Sequence, residues 1–288
     1  MNDAVKHKLS YFLFIAFGGG WAMMLLGMFP GDNASYSALL NLYPFAPLLA
    51  VLIVYGFHLD EKTAGIRWKI TKGEQLGWLG FAWLYPILLT AAGAVLYFIL
   101  NPGMFDSGLG AMEEAMSAQN TSMDKYTLFF TQLLTSCISM PFFRGAAGLG
   151  QEVGWRGFLQ PELEKKLGFR KSVILTGVIS GLWYVPMICL SGLVFGTGYP
   201  GEPWLGVAVY CVYSVFISIL STVVYEKSGS ILLSALLRGS FDAVGSIPVY
   251  LLHSIPDGLI FGPGMPGITT MIPLAVYAIL VLRKAETD

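Results

Sequence analysis

Between Leu9 and Leu282 the chain is a succession of long apolar runs joined by short polar links. No other feature constrains its fold as tightly. A helix rises 1.5 Å per residue, so about 20 apolar residues cross the hydrocarbon core of a bilayer. Inside that core every backbone N–H and C=O must be paired within the protein, and a helix pairs its own. The runs predict crossings over 9–29, 38–57, 76–100, 126–150, 172–193, 205–225, 230–252 and 268–282. The fold class is therefore all-α: a polytopic membrane bundle of about eight transmembrane helices. Composition agrees, with 55% hydrophobic and only 12% charged residues, where soluble domains carry about a quarter charged. A single integral membrane domain over 1–288 is expected, with no separate soluble domain. The first run is long and lacks a small-x-small cleavage site after it, so it reads as a span and not a leader.

The links carry a second pattern. Eight crossings place 1–8, 58–75, 164–171, 226–229 and 283–288 on one side. Those segments hold thirteen Lys and Arg residues, and the opposite links hold only Lys125. Basic residues accumulate on the cytoplasmic side, so both termini are expected there. The turn Pro30-Gly31-Asp32-Asn33 and the linker 101–124 then lie outside, the linker with a short surface helix over Ala111–Gln119. A net charge of −1 suggests no nucleic-acid partner. No phosphate-binding glycine loop of either common type is present, so no nucleotide site is expected. Cys137, Cys189 and Cys211 all lie in apolar runs and form no CxxC pair, which points to packing. No inverted repeat of the transporter kind is visible.

Against this apolar background a few ionisable residues stand out, and at membrane depth such residues are expensive and usually functional. The stretch Gly150-Gln-Glu-Val-Gly-Trp-Arg-Gly-Phe-Leu-Gln-Pro-Glu-Leu163 sets Glu152 and Arg156 one helical turn apart. Pro141 to Gly150 is dense in glycine, which predicts a break there and a new helix from about Gln151. Arg238 and Asp242 form another i,i+4 pair, and Arg144 is a third cation inside the apolar part. Arg238 lies roughly 12 Å into its span and Tyr184 roughly 18 Å into its own, so both can reach Glu152. Two readings stay open. Each pair can be self-contained glue between helices, or Arg238 can cross the cavity to neutralise Glu152.

The same residues carry a resemblance. Gln151-Glu152-Val-Gly-Trp155-Arg156-Gly-Phe-Leu159 resembles the first motif of the CAAX-protease and bacteriocin-processing (CPBP, or Abi) membrane proteases, Glu-Glu-x-x-Trp-Arg-Gly-Phe-Leu. Leu182-Trp183-Tyr184-Val-Pro186 is similar to the family's Leu-Trp-His-x-Pro. Arg238-Gly-Ser-Phe-Asp242 is similar to its His-x-x-x-Asn. The resemblance covers about 125–250. It implies an intramembrane metalloendopeptidase of prenylated, bacteriocin-type or other membrane-associated substrates. It also implies the inner (plasma) membrane of a prokaryote. The implied site residues are Gln151, Glu152, Arg156, Tyr184, Arg238 and Asp242.

The frame matches the family and the chemistry does not. The position of the family's water-activating glutamate holds Gln151 here, those of its two histidine ligands for a divalent metal such as zinc hold Tyr184 and Arg238, and that of its asparagine holds Asp242. Arginine stays protonated and does not ligate metals. The histidines of this chain, His7, His58 and His253, lie in the links or at their borders, on opposite faces of the membrane. No bound cofactor is therefore expected. The chain reads as a catalytically silent member that binds a membrane protein or peptide in its cavity, with the lipid bilayer as its other partner. An active endopeptidase and a small-molecule carrier are the alternatives.

Overall fold

The computed structural model describes residues 3–28, 34–56, 65–68, 73–118 and 122–284. The turn at 29–33, His58, Lys62, Lys69, Lys72 and Gln119 lie outside the described residues. In chain order the α-helices are α1 (Asp3–Gly27), α2 (Ala34–Leu42), α3 (Ala46–Val54), α4 (Glu74–Leu100), α5 (Gly110–Ala118), α6 (Lys125–Ile138) and α7 (Met140–Gly154). After them come α8 (Gln160–Leu167), α9 (Phe169–Leu182), α10 (Val185–Leu190), α11 (Trp204–Ser228), α12 (Ile231–Val244) and α13 (Met271–Lys284). No strand occurs among the described residues.

Five helical stretches are long and apolar enough to cross a membrane: His7–Gly27, Gln75–Leu100, Phe169–Leu190, Trp204–Ser228 and Ile231–Leu251. The other expected crossings are built differently. Met271–Arg283 is apolar but short. The run at 38–57 is split by a 3-10 turn at Tyr43–Phe45, where Pro44 and Pro47 interrupt the hydrogen-bond ladder. The segment from Lys125 to Leu167 is nearly continuous helix, yet Arg144, Glu152 and Arg156 dilute its hydropathy.

The chain is turned outside in relative to a soluble protein. Phe14, Leu76, Leu88, Ile99, Phe143 and Leu190 are among its most exposed side chains, while Glu152, Arg156, Arg238 and fourteen serines and threonines are buried among the described residues. That arrangement suits a lipid solvent, in which polar groups must turn inward.

The expected break at 141–150 is absent. α7 runs through it to Gly154, and the discontinuity falls earlier, at Ser139, with Pro141 in the first turn of α7. A proline there loses nothing, because first-turn N–H groups have no helical partner. The glycines serve close packing. A Cβ at Gly239 would fall on the backbone of Gly145, and one at Gly148 would lie 2.9 Å from the Ala235 carbonyl oxygen. Gly150 and Gly154 let the Pro44–Pro47 turn approach from the other side. Small residues draw membrane helices together in this way. α9 and α11 meet likewise, through Gly177 against Val215 and Gly181 against Cys211.

Outside the bundle, α5 is less of a surface helix than its sequence predicts. Ala111 and Met112 are buried, the latter with Leu109, Phe129 and Ile247. Asp106 fastens the loop before it by accepting hydrogen bonds from the N–H groups of Gly108 (2.7 Å) and Gly110 (2.8 Å).

Candidate functional site

Between Gly154 and Gln160 the motif helix widens into a π-helical turn, Trp155–Leu159. Such bulges are rare and cluster at functional sites. Trp155 and Arg156 are wholly buried there. Trp155 packs edge-on against Phe12 and Trp183. Trp183 donates its indole N–H to the Ala16 carbonyl of α1 at 2.8 Å. Trp183 and Tyr184 sit where α9 gives way to α10, because Pro186, in the first turn of α10, has no N–H to continue the hydrogen-bond ladder of α9. α1 thus holds the break that presents Tyr184 to the interior.

Glu152 is the hub. Its Oε1 accepts from Arg238 Nε at 2.8 Å and from Arg156 Nη1 at 3.3 Å. Its Oε2 lies 2.6 Å from the Ser234 hydroxyl. Both arginines and the glutamate are buried. Arg238 therefore bridges α12 to α7 and does not close a local pair with Asp242. Ser234, Arg238 and Asp242 are spaced i, i+4, i+8 and share one face of α12.

Gln151 and Tyr184 make the adjoining contact. The amide lies against the Tyr184 hydroxyl, with Nε2 at 3.0 Å and Oε1 at 3.2 Å. Tyr184 then continues into an aromatic cluster. Its ring centroid is 6.1 Å from that of Tyr43 and 4.7 Å from that of Tyr210, which in turn is 5.7 Å from Tyr213. Next to Tyr210 and Tyr213 is a cavity of about 260 Å³ that Asp242 also lines.

Five of the six sequence-expected residues thus converge by direct contact: Gln151 with Tyr184, and Glu152 with Arg156 and Arg238. Asp242 stands one turn away at the cavity wall, with no hydrogen bond or ion pair among the described residues. Arg144, expected among the interior cations, is exposed. The buried face of α7 runs through Pro141, Gly145, Gly148 and Gln151–Gly154, and position 144 points off it. His7 and His253 are exposed, and His253 lies near Asp106, 3.7 Å from its carboxylate. No group of three His, Cys, Asp or Glu converges among the described residues.

Sequence reasoning missed Ser234, Tyr43, Tyr210 and Tyr213. Ser234 was findable as the residue one turn before Arg238. Tyr210 and Tyr213 share a face at i,i+3. Tyr43 had no local signal, because its place depends on the Pro44 turn.

Fold and site define an integral membrane helical bundle with a buried carboxylate–guanidinium centre at a π-bulge. Residues 131–244, from the second turn of α6 to the end of α12, match the family of type II CAAX prenyl endopeptidase Rce1-like proteins. The matched segment contains Gln151, Glu152, Arg156, Tyr184, Ser234 and Arg238, the hydrogen-bonded residues of the centre. No curated protein matches the chain.

Proposed function

We propose that this protein keeps the scaffold of the CAAX-protease family without its hydrolysis, and serves as a membrane-embedded binding protein for a membrane protein or peptide. One observation carries this reading: Arg238 Nε lies 2.8 Å from the Glu152 carboxylate. A divalent ion needs lone-pair donors around it, as in a zinc site with three protein ligands and an open position for water. The position offers a guanidinium, which cannot ligate, and only two neutral oxygens, of Tyr184 and Gln151, that are hydrogen-bonded to each other, and the guanidinium already neutralises the carboxylate. The donor set does not fit a metal. Gln151 is not a base, so no group beside Glu152 draws a proton from water near neutral pH. The same ion pair keeps Glu152 from acting as that base.

On the expected topology, with both termini cytoplasmic, the aromatic cavity would face the extracytoplasmic side. The cavity holds one side chain or head group of a bound partner. A prenylated peptide with a cleavable carboxy-terminal extension, presented to the protein in liposomes, tests the reading. The expected result is no cleavage above that of a Glu152→Gln variant. Cleavage that Glu152→Gln abolishes would establish a peptidase instead.

A further inference from the structure

α12 is buried along its length except at Asp242, its one exposed residue and the only carboxylate lining the 260 Å³ cavity. The walls beside it are aromatic: Phe195, Tyr210, Tyr213 and Phe241, with Met265 from the loop over the top. No Lys, Arg or His lines the cavity. Arg238, one turn from Asp242, gives its Nε to Glu152 and makes no ion pair with Asp242 among the described residues, although its charge and that of Arg144 act on Asp242 through space. The cavity wall therefore offers an entering molecule one carboxylate among aromatic and aliphatic side chains.

We propose that this cavity is a site for an alkylammonium group, resting on the reading of the protein as a binding protein. The Asp242 carboxylate faces the cavity without a hydrogen bond or ion pair among the described residues, so it can pair with an entering cation, and an organic cation gives up little hydration to do so. The faces of Tyr210, Tyr213, Phe195 and Phe241 carry the negative end of the ring quadrupole, which attracts such cations. Neutral ligands gain at most a hydrogen bond from Asp242, and anions are repelled by it. The volume falls just below the roughly 300 Å³ where drug-sized pockets begin, so a compact head group fits and a folded segment does not. The pattern also gives a reason for Asp242 that the Glu152 centre does not, since no residue of that centre hydrogen-bonds it among the described residues.

The probe is choline, with 3,3-dimethyl-1-butanol, its uncharged carbon isostere, as the matched control. Both are titrated against the full chain in detergent, and thermal stability and calorimetric heat are read. Choline is expected to raise the midpoint saturably, and the isostere to leave it unchanged. Asp242→Asn should weaken choline binding by about tenfold or more, and Tyr213→Leu several-fold, the scale of one lost ion–carboxylate or cation–π contact. Asp242 makes no hydrogen bond among the described residues, so Asp242→Asn orphans none of them, and an unchanged gel-filtration profile confirms its fold. Equal response to both compounds, no response of folded wild type to choline, or full retention in Asp242→Asn each overturns the proposal. None of those results bears on whether the protein cleaves peptides, which the liposome assay reports separately.

Discussion

Glu152 accepts three hydrogen bonds at full burial, and two come from arginines on different elements. Removing one partner of a buried ion pair strands the other, at about 3–5 kcal/mol in soluble proteins. A membrane lowers that cost, because the unfolded chain also finds polar partners there. Arg238→Met and Glu152→Gln should each lower thermal stability in detergent. The double variant should be milder than the sum, by a coupling of about 1–3 kcal/mol. Additive singles would mean that Arg238 and Glu152 do not interact. The neighbouring contact has its own signature. Tyr184→Phe leaves the Gln151 amide without its phenol, at a cost of about 1–3 kcal/mol, also read as a lowered melting midpoint. Five of the six site residues could be brought together from sequence because their spacing and depth were legible. Asp242 could not be assigned, because whether Arg238 turns along its own helix or across to α7 is decided by rotamer and packing.

At the scale of the elements, the glycine stretch teaches the most. Pro141 to Gly150 reads as a helix breaker, yet α7 is continuous, because glycine propensity is a weak prior beside close packing against α12. Gly239→Ala should therefore be strongly destabilising, beyond the roughly 1–3 kcal/mol of ordinary overpacking, since its Cβ would meet backbone and not a flexible side chain. Gly80→Ala on α4 has open space around it and should stabilise by up to about 1 kcal/mol. Equal melting midpoints for the two variants would refute the tight α7–α12 contact. The loop before α5 makes a pH prediction. Backbone N–H groups of Gly110 and Gly108 hold the Asp106 carboxyl below the usual carboxylate range. A depressed folded value means that this contribution is full above about pH 4, where the unfolded group ionises, and is lost as pH falls through the folded value. Asp106→Ala should remove that part of the acid sensitivity. Hydrogen exchange of the Gly108 and Gly110 amides, compared at pH 5 and pH 2.5, reports it, and protection that does not fall in the wild type would contradict the assignment.

For the whole molecule, hydropathy revealed the fold class because a bilayer leaves helices as the way to bury backbone in a chain this apolar. It overstated how uniform the crossings are: five stretches suffice by length and composition, and the rest are short, kinked or polar where they carry the site. The thirteen-to-one distribution of basic residues predicts that reporters fused at residues 115, 200 and 260 lie outside the cytoplasm and those at 65, 168 and 288 within it. Residues 65 and 115 on one side would remove the eight-crossing arrangement. The central claim is that a guanidinium stands where the family's cation would stand, and metal analysis of the purified chain tests it most directly. Zinc should be well below one per chain in the wild type, and unchanged by Gln151→Glu, Tyr184→His or Arg238→His alone, since one new ligand is too few. One tightly bound zinc per wild-type chain, lost on Glu152→Gln, would contradict it.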